Sequence, residues 1–228
     1  YETTVVRHGI MVIGPTGGGK TEIFTILRKA LAIVNNIPYR EARLNPKAIL
    51  ASQMYGELDP MSDEWTTGVF AATWTKYNKR ENPYNTWIIC DGPVDAIWIE
   101  DLNTVLDDNK KLCLTSGEII QLSNPMTMMF EPEDLAVASP ATVPRCGMIY
   151  MEPTSLGYDV LLESWLNQLP AIFASSNIRS VLFRLFDIFL PSLLPHLRRN
   201  FIEPFPTVNN CLVEALLNLL DTFLNPFI

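Results

Sequence analysis

The sequence predicts an α/β fold: a parallel five-stranded sheet sandwiched by helices, followed by a small α-helical lid subdomain. Three observations carry this reading. Short apolar runs alternate with helical patterns through the first two thirds of the chain, a glycine-rich turn joins the first run to the first helix, and after Gly157 only helical patterns remain. Strand, helix, strand in that order implies right-handed crossovers and a parallel sheet covered on both faces. The expected division is a large αβα unit over 1–156 and a small helical unit over 157–228. Because the chain opens at Tyr1 just before the first strand and ends at Ile228 inside the helical pattern, it reads as a piece of something longer.

Strands are expected at 9–14, 41–45, 86–91, 127–131 and 147–151, each a short apolar run. Helices are expected at 19–34, 65–80, 95–106 and 133–142. Two insertions interrupt the alternation. Met54–Asp63 carries Gly56, Pro60 and several acids and reads as a loop, whereas Lys111–Leu122 is two β-like arms around Ser116-Gly117, a hairpin. In the last third, Pro170, Pro191, Pro195, Pro204 and Pro206 punctuate the helices. The most apolar stretch, Val181–Leu197, contains Arg184, Asp187, Pro191 and Pro195, which are costly in a bilayer and expected to break a spanning helix. It reads as a buried helix of a soluble protein.

With 228 residues, 48% of them apolar and 10% aromatic, the chain can bury a sizeable core. A net charge of −8 and no basic stripe argue against a nucleic-acid surface. Cys90, Cys113, Cys146 and Cys211 form no C-x-x-C pair and read as reduced thiols of a cytosolic compartment; two histidines are too few for a His-rich metal site.

Chemistry concentrates at Gly14-Pro15-Thr16-Gly17-Gly18-Gly19-Lys20-Thr21, a complete G-x-x-x-x-G-K-T phosphate loop between the first strand and the first helix. Its glycines let successive N–H groups and the helix N-terminus converge on an anion; Lys20 is placed for the β/γ oxygens and Thr21 for Mg²⁺. Trp87-Ile-Ile-Cys-Asp91 is an apolar strand ending in an acid, which makes Asp91 the second expected Mg²⁺ residue, with a turn cap as its plainer reading. Two departures bear on hydrolysis. Gly92 stands where a hydrolysing relative carries the Glu that polarises the attacking water, and Glu131 stands where an amide or hydroxyl commonly meets the γ-phosphate. A carboxylate at 131 repels phosphate unless protonated or turned away, though it could alternatively serve as the missing base. Asp95 reads as a helix cap, and Arg145, before the last strand, either as an arginine finger reaching a neighbouring subunit or as a surface arginine paired to a carboxylate.

Together these pieces resemble the AAA+ P-loop NTPases, and more closely the second AAA+ module of the dynein heavy chain ring. The resemblance rests on Asn45-Pro-Lys-Ala-Ile49, Tyr55-Gly56, Glu64-Trp65, Asp91-Gly-Pro-Val-Asp-Ala-Ile-Trp-Ile-Glu100, Asn103–Asn109 and Ser139-Pro-Ala-Thr-Val with Arg145-Cys-Gly147, and it covers about residues 9–152. The wording from Asp91 to Trp98 looks axonemal rather than cytoplasmic. The resemblance implies a six-module ring in one polypeptide, ATP or ADP with Mg²⁺ on Gly14–Thr21 and Asp91, little turnover, and Arg145 acting in trans on the preceding, main hydrolytic module. It further implies neighbouring modules and the linker as partners, with intermediate and light chains and microtubules met through the parent motor, neither nucleic acid nor membrane, and a place in the cytoplasm and cytoskeleton, at the axoneme of a cilium or flagellum. The insertions at 54–63 and 111–122 correspond to those that meet the linker, and Pro144 replaces an expected Ser.

The competing readings are an active ATPase with Glu131 as base and a small-molecule kinase, which lacks an acceptor site here. The adenine pocket is open, with Val5 and Val6 as candidates by location, and so is the second-sensor arginine, among Arg179, Arg184, Arg198 and Arg199.

Overall fold

The computed structural model describes residues 1–79, 82–170, 173 and 176–224. They form two compact units, one of Tyr1–Gly14 with Gly19–Met151, the other of Pro15–Gly18 with Glu152–Ile228.

In the first unit, helix α1 (Glu2–Val6) leads into β1 (Gly9–Ile13), then α2 (Lys20–Asn35) and β2 (Tyr39–Leu44). A short helix α3 (Ala51–Tyr55) follows, then a hairpin of β3 (Gly56–Leu58) and β4 (Trp65–Thr67), then α4 (Val69–Tyr77) and β5 (Asn85–Cys90). Next come α5 (Ala96–Ile99), α6 (Asn103–Leu106), a second hairpin of β6 (Lys111–Cys113) and β7 (Ile119–Gln121), β8 (Met126–Phe130) and β9 (Cys146–Tyr150). The main sheet runs β2-β5-β8-β1-β9, parallel throughout.

Alternation sends the two faces of each strand into different cores. Ile10, Val12, Trp87, Ile89 and Met129 pack with Phe24 of α2. Met11, Ile88, Cys90, Met128 and Phe130 pack with α4, α5 and the second hairpin through Phe70, Trp74, Trp98 and Leu112. All five residues of β1 are buried, as a strand covered on both faces requires. Helix α2 presents Phe24, Leu27 and Leu31 at helical spacing to its core and stops at Asn36, which adopts a left-handed conformation and donates its N–H to the Ile33 carbonyl.

The five expected strands form within two residues of their expected bounds, and the 111–122 hairpin is present. Three expectations are corrected. No helix forms over 133–142, because Pro132 and Pro140 remove donors while Asp134 and Ser139 bond the N–H groups of Ala136 and Ala141, two residues on. The 65–80 helix starts only at Val69: Trp65-Thr-Thr67 pairs with β3 instead, so the stretch at 54–63 is half hairpin, its loop confined to the turn where the Asp59 carboxylate accepts from Met61 N–H. The segment 95–106 divides into α5, a 3-10 turn at Glu100–Leu102 and α6.

In the second unit, α7 (Pro153–Leu156) and α8 (Asp159–Gln168) precede α9 (Ser176–Asn200) and α10 (Asn209–Leu224). Their core joins Leu162, Trp165 and Leu166 to Phe186, Leu190 and Leu194 and to Val213 and Leu217, with the Trp165 indole donating to Asp221 at 2.7 Å. Helix α9 corrects the sequence reading twice. It continues through Pro191 and Pro195, whose freed carbonyls, on Asp187 and Pro191, lie on exposed residues where water satisfies them. It also buries one stripe only, leaving Phe183, Ile188 and Phe189 half exposed. By length and composition alone, Asn177–Asn200 could cross a membrane.

Candidate functional site: the phosphate loop and its ionic cluster

The loop leaves the carboxyl end of β1, where α/β sheets bind ligands. Gly14, Gly17 and Gly19 take φ values of +156°, +80° and +85°, which side chains rarely adopt. Gly14 also makes a close approach, since a Cβ there would lie 2.5 Å from the Met151 carbonyl. Gly19 is the N-cap of α2, so the helix dipole points out of the loop. The Lys20 ammonium donates to the Gly14 carbonyl at 2.5 Å, arching over the loop. Within the second unit, Gly18 N–H donates to Pro15 O, and the Cys211 thiol donates to the Thr16 carbonyl at 3.5 Å.

The neighbouring strands bring three charged side chains to one place. Arg43 is in register with Ile89, and Ile89 with Met129; Asp91 and Glu131 each lie two residues further on. Period-two alternation therefore puts Arg43, Asp91 and Glu131 on the face covered by α2, next to Thr21. The contacts close a chain: Thr21 Oγ1 donates to Glu131 Oε2 at 2.6 Å, and Arg43 Nη1 donates both to Glu131 Oε1 and to Asp91 Oδ2, each at 2.9 Å. The Glu131 side chain is 2% exposed and Asp91 48%. Burial disfavours the charged Arg43 guanidinium, but attraction and hydrogen bonds from Glu131, reinforced by Asp91, outweigh it and raise the Arg43 pKa above the usual arginine value.

Arg43 escaped the sequence analysis. Its one signal was a basic residue near the carboxyl end of an expected strand, on the same face as Asp91. Beside Arg43, Glu131 has its charge paired and both of its oxygens engaged. Thr21, Asp91 and Glu131 supply the hard oxygens that Mg²⁺ favours. Among the described residues no three His, Cys, Asp or Glu side chains are grouped to hold a metal. Gly92 has φ +153°, and a Cβ there would lie 2.7 Å from Asn45 Oδ1. Asp95 caps α5, accepting from Ile97 N–H at 3.0 Å and from Trp98 N–H at 3.4 Å.

Arg145 lies outside this cluster. It ends a 3-10 turn and precedes Cys146, which pairs with Gly9 at the start of β1, five residues from the loop. At roughly 3.3 Å per residue it sits about 16 Å from its own phosphate site. Its Nε donates to Asp107 Oδ1 and its Nη1 to the Ala141 carbonyl, each at 2.5 Å, beside a cavity of 410 Å³. The plainer reading of Arg145, a pairing with a carboxylate, thus describes its contacts here. Val5 lines a different cavity, with Leu31, Asn35, Tyr39 and Trp87, at the amino ends of β2 and β5, away from the phosphate loop. Of the four lid arginines, Arg198 lines a cavity within the second unit with Thr207, Val208 and Asn209, and it donates to the Thr207 carbonyl and pairs with Glu203.

Comparison with known proteins agrees with this geometry. Residues 9–146 match the family described as AAA domain (dynein-related subfamily). The chain is 46% identical over its whole length to dynein axonemal heavy chain 1 of Mus musculus, of which it spans 6%. It is 45% identical over 87% of its length to dynein axonemal heavy chain 12 of the same species, spanning 7% of that protein, and 50% identical over 75% of its length to dynein axonemal heavy chain 3 of Homo sapiens, spanning 4%. The chain belongs to the AAA domain family, in its dynein-related subfamily.

Proposed function

We propose that this chain is an ATP- or ADP-binding AAA+ module, the second of the ring, of an axonemal dynein heavy chain, and that it holds its nucleotide with little or no hydrolysis. Mg²⁺ would be met by Thr21 and Asp91, where it screens phosphate charge. In the parent protein the module would work in the cilium or flagellum axoneme, beside neighbouring modules and the linker, with intermediate and light chains and microtubules engaged by the parent motor.

The observation that carries the reading is that, among the described residues, neither position 92 nor Glu131 offers a free base. Gly92 has no side chain, and both Glu131 oxygens are already engaged, one by Thr21 and one by Arg43. A base must be free to accept the proton it abstracts. We further propose that the module supplies an arginine finger to the neighbouring, main ATPase site; the position of Arg145 supports this, since at the far end of the sheet from the phosphate loop it is placed to serve a phosphate on a neighbour.

The test is ATP turnover by the full parent polypeptide with the phosphate-loop lysine of every other module replaced. Nucleotide bound with turnover well below about 1 s⁻¹, the lower end of ordinary enzyme rates, is expected. Turnover near that rate, abolished by Glu131→Gln, would establish the alternative, an active ATPase with Glu131 as base.

A further inference from the structure

Two carboxylates flank the phosphate loop at a place where a nucleotide adds several more negative charges. Like charges so grouped disfavour one another unless a cation intervenes. In other phosphate-loop proteins a hydrated divalent ion is that cation. Here a covalently attached one is present: a single Arg43 nitrogen holds Asp91 and Glu131 together at 2.9 Å each, and Glu131 in turn holds the Thr21 hydroxyl. Arginine stays protonated at any physiological pH, and its side chain is anchored in a sheet strand, so this charge is not lost to solvent as a metal ion is.

We propose that Arg43 is a tethered cation of the phosphate site, which keeps Asp91 and Glu131 in place and lets the module retain its nucleotide when divalent metal is removed. The inference rests on the reading of Gly14–Thr21 as a nucleotide site. Its chemistry runs in two directions. Lone pairs of the Thr21 hydroxyl and of Asp91 remain open to a divalent ion, but the Arg43 guanidinium bonded to Asp91 Oδ2 and Glu131 Oε1 repels it, so the ion binds more weakly. The nucleotide, by contrast, meets a site whose carboxylate charge is already partly offset. Arg43 acts through Asp91 and Glu131, and so is a positioning residue.

The experiment uses the full parent polypeptide with all other phosphate-loop lysines replaced. It measures the nucleotide still bound after desalting into EDTA, and the affinity of the nucleotide-loaded site for Mn²⁺ by electron paramagnetic resonance. The unsubstituted module is expected to lose less than about tenfold in nucleotide affinity on chelation. Arg43→Gln is expected to lose about tenfold to a hundredfold more, the scale of one or two charge-assisted hydrogen bonds, and to bind Mn²⁺ more tightly. Arg43→Lys, which keeps the charge but not the fork, should fall between, and it decides the matter if the Gln variant does not fold. Equal metal dependence in all three proteins overturns the proposal. If Lys20→Ala retains as much nucleotide as the unsubstituted module, the reading of the loop itself fails instead.

Discussion

Arg145 offers a prediction whose size follows from its contacts. The side chain is held by Asp107 and the Ala141 carbonyl, and the ion pair is open to solvent, with Arg145 32% and Asp107 37% exposed. Such exposed pairs contribute roughly 0.2–1 kcal/mol. An arginine finger is worth 10³- to 10⁵-fold in rate, or about 4–7 kcal/mol of transition-state stabilisation at 1.36 kcal/mol per tenfold. Leaving Asp107 therefore costs several-fold less than engaging a neighbour's γ-phosphate returns. On the proposed trans role, Asp107 would park the guanidinium without withholding it.

Two substitutions separate these roles. Arg145→Ala should leave nucleotide binding at Gly14–Thr21 unchanged and slow hydrolysis at the neighbouring site by about 10³-fold or more. Asp107→Asn weakens the parked state by at most the value of the pair, so it should raise that hydrolysis by about 1.4- to fivefold. Single-turnover phosphate release from the intact heavy chain, with and without microtubules, reads both. Unchanged release in Arg145→Ala refutes the trans role. If Asp107→Asn slows hydrolysis as much as Arg145→Ala does, Asp107 orients the finger and the parking argument is wrong.

Two further predictions concern the segment between Gly92 and Asp95. Gly92→Glu should not create an active ATPase, because the backbone at φ +153° disfavours any side chain and the new Cβ meets Asn45 Oδ1 at 2.7 Å; phosphate release rising to about 1 s⁻¹ would contradict this. Burial alone would raise the Asp95 carboxyl, but Lys47 and the N–H groups of Trp98 and Ile97 outweigh it and hold its pKa below the usual carboxylate value. That stabilisation is present above the unfolded-state pKa and is lost as pH falls through the folded one. Asp95→Ala should thus cost about 1 kcal/mol near neutral pH, the value of a helix cap, with the gap from the unsubstituted protein narrowing in acid; urea unfolding at pH 7 and pH 3 measures it.

The sheet was legible because its strands are short, apolar and bounded by turn residues, and the phosphate loop because its spacing is dictated by anion geometry. What escaped were outcomes that depend on partners distant in sequence. Trp65-Thr-Thr67 is a strand only because Gly56–Leu58 lies opposite, and 133–142 lost its helix to local side-chain bonds that compete with helical ones. Arg43 could not be assigned a role until the β2-β5-β8 order was known, since sequence alone does not say which strands are neighbours. Glu131 was visible as a departure, but its partners Thr21 and Arg43 were not.

Binding and hydrolysis draw on different parts of this site. Binding needs the loop backbone, Lys20 and the α2 N-terminus, all intact. On the proposed reading, hydrolysis is obstructed at two separate points. Gly92 faces Asn45, and Asn45 cannot step aside freely, because its side chain accepts from Lys47 N–H at 2.9 Å while Lys47 is itself paired with Asp95. Glu131 cannot act as a base without giving up Thr21 or Arg43, and releasing Arg43 would free a nearly buried carboxylate beside phosphate, the costliest arrangement available. Each obstruction is stabilised by contacts that also order the strand ends around the loop. If the proposed reading holds, turnover would therefore require coordinated changes at 43, 45, 92 and 131, whereas loss of nucleotide would require only one, at Lys20. On that reading the site would be more firmly committed to holding a nucleotide than the loss of a single glutamate would suggest.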